Sequence, residues 1–458
     1  MNFEKTSGTA HSAENLLERF DAVPPTAWHR RLRITMGAAT FFDAFDGLAI
    51  AAVLPVLIPL WKISPQNVGL LISVGFVGQA IGALIFGRLA ERIGRVPAAL
   101  YSILVFSCTS IALAFAWDYY SLFLLRFVQG LGLGGEVPVA AAYISEISRA
   151  QKRGRFFMLY ESIFIVGGFV AALAGALIVP AFGWQIFLAL GVLPALIILP
   201  LRRTLPESPR WLISKGRLEE AASVISKVEQ EAKLTATTRR SEQKVAWVEQ
   251  LGAGQRVGIF DGIFLQRTLV VWVLWFATFF IGYAYATWLP SVARTVYNLS
   301  LQASLIVPVG TGCVTLTVVI LCAVNIDRIG ARKWFPIAGA ANAGCMLALL
   351  YVDAHAFPML FIAFAALGSA ANTSCVVLAY LYTSEIYTTA NRATGVSTAT
   401  VLGRIAAIAS PSIVGFTLPE FGIKGVFAIF GCLAMTMAIV MGLYCVDTRG
   451  KQLEEISG

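Results

Sequence analysis

The chain has 458 residues, 57% of them hydrophobic and only 13% charged, with a mean hydropathy of +0.74. That much apolar surface cannot be hidden in a water-soluble core, so a soluble domain is excluded and the chain reads as a polytopic membrane protein in a lipid bilayer. The net charge of +9 does not point to nucleic acid, because most basic residues sit in short loops between apolar runs, where the positive-inside rule puts them. The seven cysteines fall within apolar runs without paired spacing, which argues against a disulfide or zinc framework, and no metal or cofactor is expected.

Residues 1–30 contain no apolar core of a signal peptide, so the first hydrophobic helix is expected to direct insertion. Within them SAENLLERFDAVPPTAWHRR has the pattern of a short amphipathic helix stopped by Pro24 and Pro25, expected to lie at the inner membrane surface. Apolar runs of bilayer length follow at 33–60, 67–90, 96–117, 119–145, 155–181 and 184–202, then at 267–292, 302–324, 333–352, 357–384, 393–418 and 423–446. The expected fold is therefore an all-α membrane protein with twelve transmembrane helices in two six-helix bundles, 31–202 and 267–446. A cytoplasmic segment (1–30), a linker (203–266) and a tail (447–458) flank them.

Loops on one side (88–95, 149–155, 325–333, 386–392) hold eleven Lys and Arg, and the others hold only Lys62, Arg294 and Lys424. Both termini and the linker are thus expected in the cytoplasm. In the linker, 216–233 has the pattern of an amphipathic helix and TATTRRSEQKV that of a mobile connection.

An internal repeat supports the division into halves. GRLAERIGR (87–95) after the second run is echoed by NIDRIGARK (325–333) after the eighth, and YISEISRAQKRG (143–154) by YTSEIYTTANRATG (382–395). Two parallel halves imply an axis along the membrane normal and a substrate site between them.

These residues resemble the major facilitator superfamily. Gly87, Glu91, Arg92, Gly94 and Arg95 look like its loop motif, with Glu91 where Asp is usual, and PESPRWL (206–212) resembles sugar porters, organic-ion carriers and the synaptic vesicle protein group. ERFDAVPPTAWHRR with FFDAFDGLAIAAVLP (41–55) and GGEVPV (134–139) looks most like the bacterial niacin and aromatic-acid carriers related to that group. The resemblance implies a secondary transporter of the bacterial inner membrane working by alternating access, and no enzyme.

Six charges fall at membrane depth, where an ionisable group is costly and marks a functional site: Asp43, Asp46, Arg126, Glu136, Glu161 and Arg404. At 1.5 Å per residue, Asp46 lies about 20 Å in from one face and Arg126 about 10 Å from the other; in a core about 30 Å thick these are one level. A direct Asp46–Arg126 ion pair is expected, serving either as a proton switch or only to fix the helices. In sugar-porter relatives the matching pair is implicated in proton coupling. Asp43, three residues from Asp46, shares its face and is a candidate to neutralise Arg404 in the empty carrier. Glu136 and Glu161 fall in the inner third on neighbouring helices, suited to proton release or to hydrogen bonds with those helices.

Arg404, in GRIAAIASP (403–411), falls near the midplane, at a position where organic-anion carriers of this type have arginine. Its planar fork suits a carboxylate. In the seventh run Trp275, Phe279 and Tyr283 recur at helical spacing, able to stack on a flat ring or simply to pack, whereas Trp272 and Trp288 read as lipid or interface anchors. Tyr160, Phe164, Asn372 and Tyr380 are further lining candidates.

Gly130, Gly132 and Gly135 satisfy G-x-G-x-x-G, but no strand precedes them, so close helix packing is expected and not a dinucleotide. Ser208 is no nucleophile elbow. Glu146, Arg153, Glu385 and Arg392 fall at cytoplasmic helix ends beside the loops of Gly87, Glu91, Arg92, Arg95, Asp327 and Arg328, as a charge network that latches the inner face. The expectation is a monomeric carrier importing a small organic anion with protons, an aromatic carboxylate such as nicotinate or benzoate. The rivals are an organic cation or drug/proton antiporter, which would use the acids, a sugar porter, which would need amides in the seventh helix, and a membrane receptor or enzyme.

Overall fold

A computed structural model of the protein describes residues 13–20, 22–23, 27–147, 153–196, 205–232, 258–352, 356–387 and 389–448. The first half contributes α1 (Ala27–Trp61), α2 (Pro65–Ile93), α3 (Arg95–Leu113), α4 (Tyr119–Ile147), α5 (Arg153–Phe182) and α6 (Trp184–Ala189), which runs on as a shorter apolar helix to Leu196. Two linker helices follow, α7 (Pro209–Ser214) and α8 (Leu218–Glu231). The second half has α9 (Ile263–Thr295), α10 (Leu301–Ile329), α11 (Ala331–Ala348), α12 (Pro358–Ile386) and α13 (Thr389–Tyr444). α13 is two spans joined where Gly422 takes a non-helical φ of 63°. The two arms of α13 together with α1–α6 and α9–α12 make the twelve transmembrane helices.

Chain reversal is local and repeats between the halves. Gly94, at φ 110°, separates α2 from α3, and Gly330, at φ 79°, separates α10 from α11. Both occupy the repeated Ile-Gly step and both need a left-handed backbone that glycine adopts without cost. Two tyrosines of the other repeat play parallel roles. The Tyr143 hydroxyl donates to the Pro206 carbonyl at 2.7 Å, and the Tyr382 hydroxyl accepts from the Val446 amide at 3.0 Å, so each ties down the chain leaving the last helix of its half.

Small residues let the helices meet backbone to backbone, which suits a medium with no hydrophobic drive between them. Gly130 lies on the Gly75 carbonyl, Gly134 on the Gln79 carbonyl and Gly132 on Phe106, so the glycine run of α4 is the seam against α2 and α3. The halves touch along α2–α13, α5–α10 and α1–α9. At the end of the bundle holding Pro65 and Pro411 that contact is tight. Gly69 lies against the Pro411 carbonyl, Gly415 against the Pro65 carbonyl, and Ser73 Oγ is 2.6 Å from the Ile408 carbonyl oxygen and 2.8 Å from Ser412 Oγ.

The amphipathic segment near the N-terminus finds protein where lipid was expected. Leu16, Phe20, Val23, Trp28 and Leu32 bury themselves with Trp211, Leu212, Ala221, Ile225 and Val228 of the linker. Arg19 clasps Glu229 with two bonds, Nη2–Oε2 at 2.8 Å and Nε–Oε1 at 3.1 Å. The reason is complementarity: α8 offers its own apolar stripe, with acids beside it, to a segment carrying Arg19 and Arg31. All seven cysteines are free.

A Cβ at Gly78 or Gly134 would collide with backbone of the facing helix, whereas one at Gly344 meets nothing within 4 Å. Gly78→Leu and Gly134→Leu should therefore abolish the monodisperse peak in fluorescence-detected size exclusion, and Gly344→Ala should leave it unchanged. An intact peak for either leucine variant would contradict this packing.

Candidate substrate cavity

Between the halves lies a cavity of about 290 Å³, at the small end of the range for ligand sites. α1 supplies Asp43 and Gly47, α2 supplies Phe76 and Gln79, and α5 supplies Phe164 and Phe169. From the second half come Phe279 and Tyr283 of α9, Thr311 and Thr315 of α10, Tyr380 of α12 and Arg404 of α13. Arg404 Nη1 donates to Gln79 Oε1 at 2.9 Å, a bond that crosses from one half to the other. Asp43 shares the cavity with Arg404, and among the described residues no direct ion pair joins them; the Asp43 Oδ1 is buried without a hydrogen-bond partner.

The expected direct Asp46–Arg126 ion pair is absent among the described residues, and the guanidinium is held by an amide instead. Both residues are buried, 2% and 3% exposed, but Arg126 Nη1 donates to Gln129 Oε1 at 2.6 Å, and Gln129 Nε2 donates to Ser110 Oγ at 2.7 Å. Ser110 gives its one proton to the Phe106 carbonyl at 2.9 Å, while Asp46 Oδ1 lies next to Ser110 in a space that a Cβ at Gly191 would fill. Depth along the helices puts the two charges at one level, but the Gln129 amide, one turn along α4, takes the guanidinium first. The Arg126 guanidinium also lies against Gly75, where an added Cβ would crowd its Nη2. Asp46 Oδ2 and Arg126 Nε keep no hydrogen-bond partner.

The aromatic residues divide into lining and backing. Phe279, Tyr283, Tyr380 and Phe164 line the cavity, with Phe279 and Tyr283 ring centroids 6.0 Å apart and Tyr283 4.8 Å from Phe76 across the interface. Trp275 does not line it. It is fully buried behind Phe279, stacked at 5.0 Å and 5°, with its indole N–H donated to Thr383 Oγ1 at 2.9 Å. Asn372 is also withdrawn, its amide donating to the Thr278 carbonyl at 2.9 Å between α12 and α9. Trp288, expected as a lipid or interface anchor, is buried and donates to the Pro411 carbonyl at 3.2 Å, because the α9–α13 crossing offers that carbonyl an N–H. The side chains of Tyr160 and Glu161 lie outside the described residues. Glu136 is fully buried and accepts from Thr40 Oγ1 at 3.2 Å.

At the other end of the bundle the latch is partly visible. Arg95 holds Glu146 at 2.8 Å, and Arg210 Nε donates to the Glu146 carbonyl at 3.0 Å. Glu207 of PESPRWL caps α3, accepting from the amides of Arg95 (3.0 Å) and Val96 (3.2 Å), and Trp211 Nε1 donates to the Glu91 carbonyl at 3.2 Å. Burial pushes the Glu207 carboxyl up, while the amides of Ser208, Arg95 and Val96 and the Arg95 charge pull it down. Glu91, Arg92 and Arg328 are exposed, Glu385 is half-buried, and a Cβ at Gly87 would meet nothing within 4 Å. The side chains of Arg153, Asp327 and Arg392 lie outside the described residues.

Sequence reasoning missed Gln79, Gln129 and Ser110, and gave Glu207 and Trp211 no structural role. Gln79 and Gln129 had a readable signal: an amide within a bilayer-length apolar run needs a partner as a charge does.

Twelve helices in two pseudo-symmetric halves around a central cavity define a membrane transporter of the major facilitator type, not an enzyme. Residues 34–458 match the sugar (and other) transporter family, and the chain belongs to it. It is 32% identical over 446 residues to the niacin transporter NiaP of Acinetobacter baylyi, covering 96% of this chain and 99% of that one. It is 27% identical to the benzoate transport protein of the same organism, covering 97% of this chain and 95% of that one. Among solved structures it is similar to a partially occluded inward open conformation of the xylose transporter XylE from E. coli, with a TM-score of 0.72 at 18% identity over 93% of this chain and 100% of that one.

Gln129→Leu should leave the Arg126 guanidinium without its acceptor and lower stability by roughly 1.5–3 kcal/mol, the worth of a hydrogen bond to a charge. Thermal unfolding of the purified protein reads this as a lowered Tm. An unchanged Tm would show that the relay carries no stability.

Proposed function

We propose that the protein imports a small aromatic carboxylate, of the nicotinate or benzoate type, together with protons. On this reading it works as a monomer in a bacterial inner membrane with both termini and the linker in the cytoplasm. The observation that carries the reading is a single guanidinium, Arg404, facing a small cavity walled by Phe164, Phe279, Tyr283 and Tyr380. A carboxylate takes two parallel N–H bonds from such a fork, and the rings receive a flat apolar body. Relatives named for niacin and for benzoate transport support the same substrate class.

The substrate carboxylate replaces Gln79 as the partner of Arg404, releasing one of the bonds that tie the halves together. A proton on Asp46 removes the charge that faces Arg126 across the Gln129–Ser110 relay. With both charges answered, the cost of moving the halves past one another falls, and they rock at the α2–α13, α5–α10 and α1–α9 contacts. Asp43, in the same cavity, favours one second reading, organic cation transport against protons; stimulated efflux in place of uptake would select it.

The test is uptake of radiolabelled nicotinate and benzoate into proteoliposomes under an inward proton gradient. Arg404→Ala should abolish uptake at normal protein yield, and Arg404→Lys, which cannot present the planar fork, should retain less than about a tenth of it. Asp46→Asn should keep substrate exchange but lose the stimulation by the gradient. Wild-type uptake by Arg404→Ala would reject the assignment.

A further inference from the structure

One buried carboxylate has no part in the mechanism above. Glu136 of α4 is fully buried within the apolar span Tyr119–Ala140, where an ionisable group marks a function. It accepts from Thr40 Oγ1 at 3.2 Å, and Thr40, one turn before Asp43 on α1, lines the central cavity. Glu136 also lines a second, small cavity of about 20 Å³, whose further walls include Thr35 and Ala39 of α1, Arg95 and Ala99 of α3 and Tyr143 of α4. Arg95 gives its Nε and Nη2 to Glu146, so the small cavity adjoins the latch.

A cavity of this size has room for one water, which needs two to four polar partners. Thr35, Arg95, Glu136 and Tyr143 supply them. Among the described residues the groups around it that ionise are Glu136 and Tyr143 of α4 and Arg95 of α3, with Glu146 on the Arg95 side chain and Glu207 on its amide. α2 faces the neighbouring glycines of α4 with Gln79 and Phe86, which do not titrate. Glu136 therefore stands one hydroxyl away from the substrate cavity and one water away from the latch. A carboxylate so placed can take a proton from one side and give it to the other.

We propose that Glu136 is the residue through which the proton leaves the substrate cavity, by way of Thr40 and a water held in the small cavity. The Thr40 oxygen takes a proton from the central cavity as its own O–H bond breaks toward Glu136 Oε1, so Thr40 ends neutral. Glu136 then gives the proton to the water, which passes it on beside Arg95, and returns to a carboxylate. This route presupposes import with protons and adds to it the way out.

Uptake into proteoliposomes with internal and external pH set independently tests it, on whichever of nicotinate and benzoate the wild type carries. Wild-type uptake should rise when the outside is made more acid, and again when the inside is made more alkaline. Glu136→Gln should keep the first response, lose the second and slow net uptake at least about tenfold, the scale of a lost proton carrier. Exchange of labelled for unlabelled substrate at equal pH, which never unloads the proton, should stay at the wild-type rate; a merely structural role for Glu136 would lower both. Thr40→Val should lose the inside response and Thr40→Ser should keep it. Ala99→Val, which fills the small cavity, should lose it with Glu136 in place, and if that variant fails to fold, Ala39→Val fills the same space from α1. An inside response retained by Glu136→Gln, with the wild type showing both, would overturn this exit alone. A wild type indifferent to pH on both sides would overturn import with protons as well.

Discussion

An ionisable group inside the bundle is costly because lipid offers it no partner, and the way the Arg126 and Arg404 guanidiniums are held by amides organises the site. Arg126 leans on Gln129, which leans on Ser110. Arg404 reaches across the interface to Gln79. The amides are neutral, so each gives a guanidinium one acceptor without cancelling its charge. A cation held by an amide remains available to an anion that arrives later, which a cation held by a carboxylate would not.

The same logic explains why the glycines lie where they do. Gly75 leaves room for the Arg126 guanidinium, and Gly191 for the side chains of Asp46 and Ser110. Gly130 and Gly134 bring α4 close against Gly75, Gly78 and Gln79 of α2. At the opposite end the chain entering the linker is used as a clamp. Glu207 caps α3, Trp211 caps α2, and the N-terminal segment folds over α8, so the linker's first part travels with the first half. Relative motion of the halves thus concentrates at the α2–α13, α5–α10 and α1–α9 contacts around the cavity.

Much of this was legible in the sequence, because lipid makes helix length and polarity rigid signals. The first run, expected at 33–60, overlaps the apolar span Gly37–Trp61 of α1, and the break expected between 418 and 423 falls at Gly422. The repeated Ile-Gly and Tyr-x-Ser-Glu steps marked true structural equivalences. What escaped was lateral placement. Depth along a helix follows from counting residues, but whether Trp275 faces the cavity or hides behind Phe279 depends on rotation and packing. Likewise, that Gln129 would intercept Arg126 requires knowing which side chain is nearest, and that the N-terminal helix prefers α8 to lipid requires knowing α8 is within reach.

The central claim is that Arg404 recognises a negative charge on a flat ring. Calorimetric titration of the purified protein with nicotinate and with nicotinamide, which share a ring and differ in the charge, addresses it without transport. The account predicts that nicotinate binds at least about tenfold more tightly, a difference of about 1.4 kcal/mol. Equal affinities, or a preference for the amide, would contradict it.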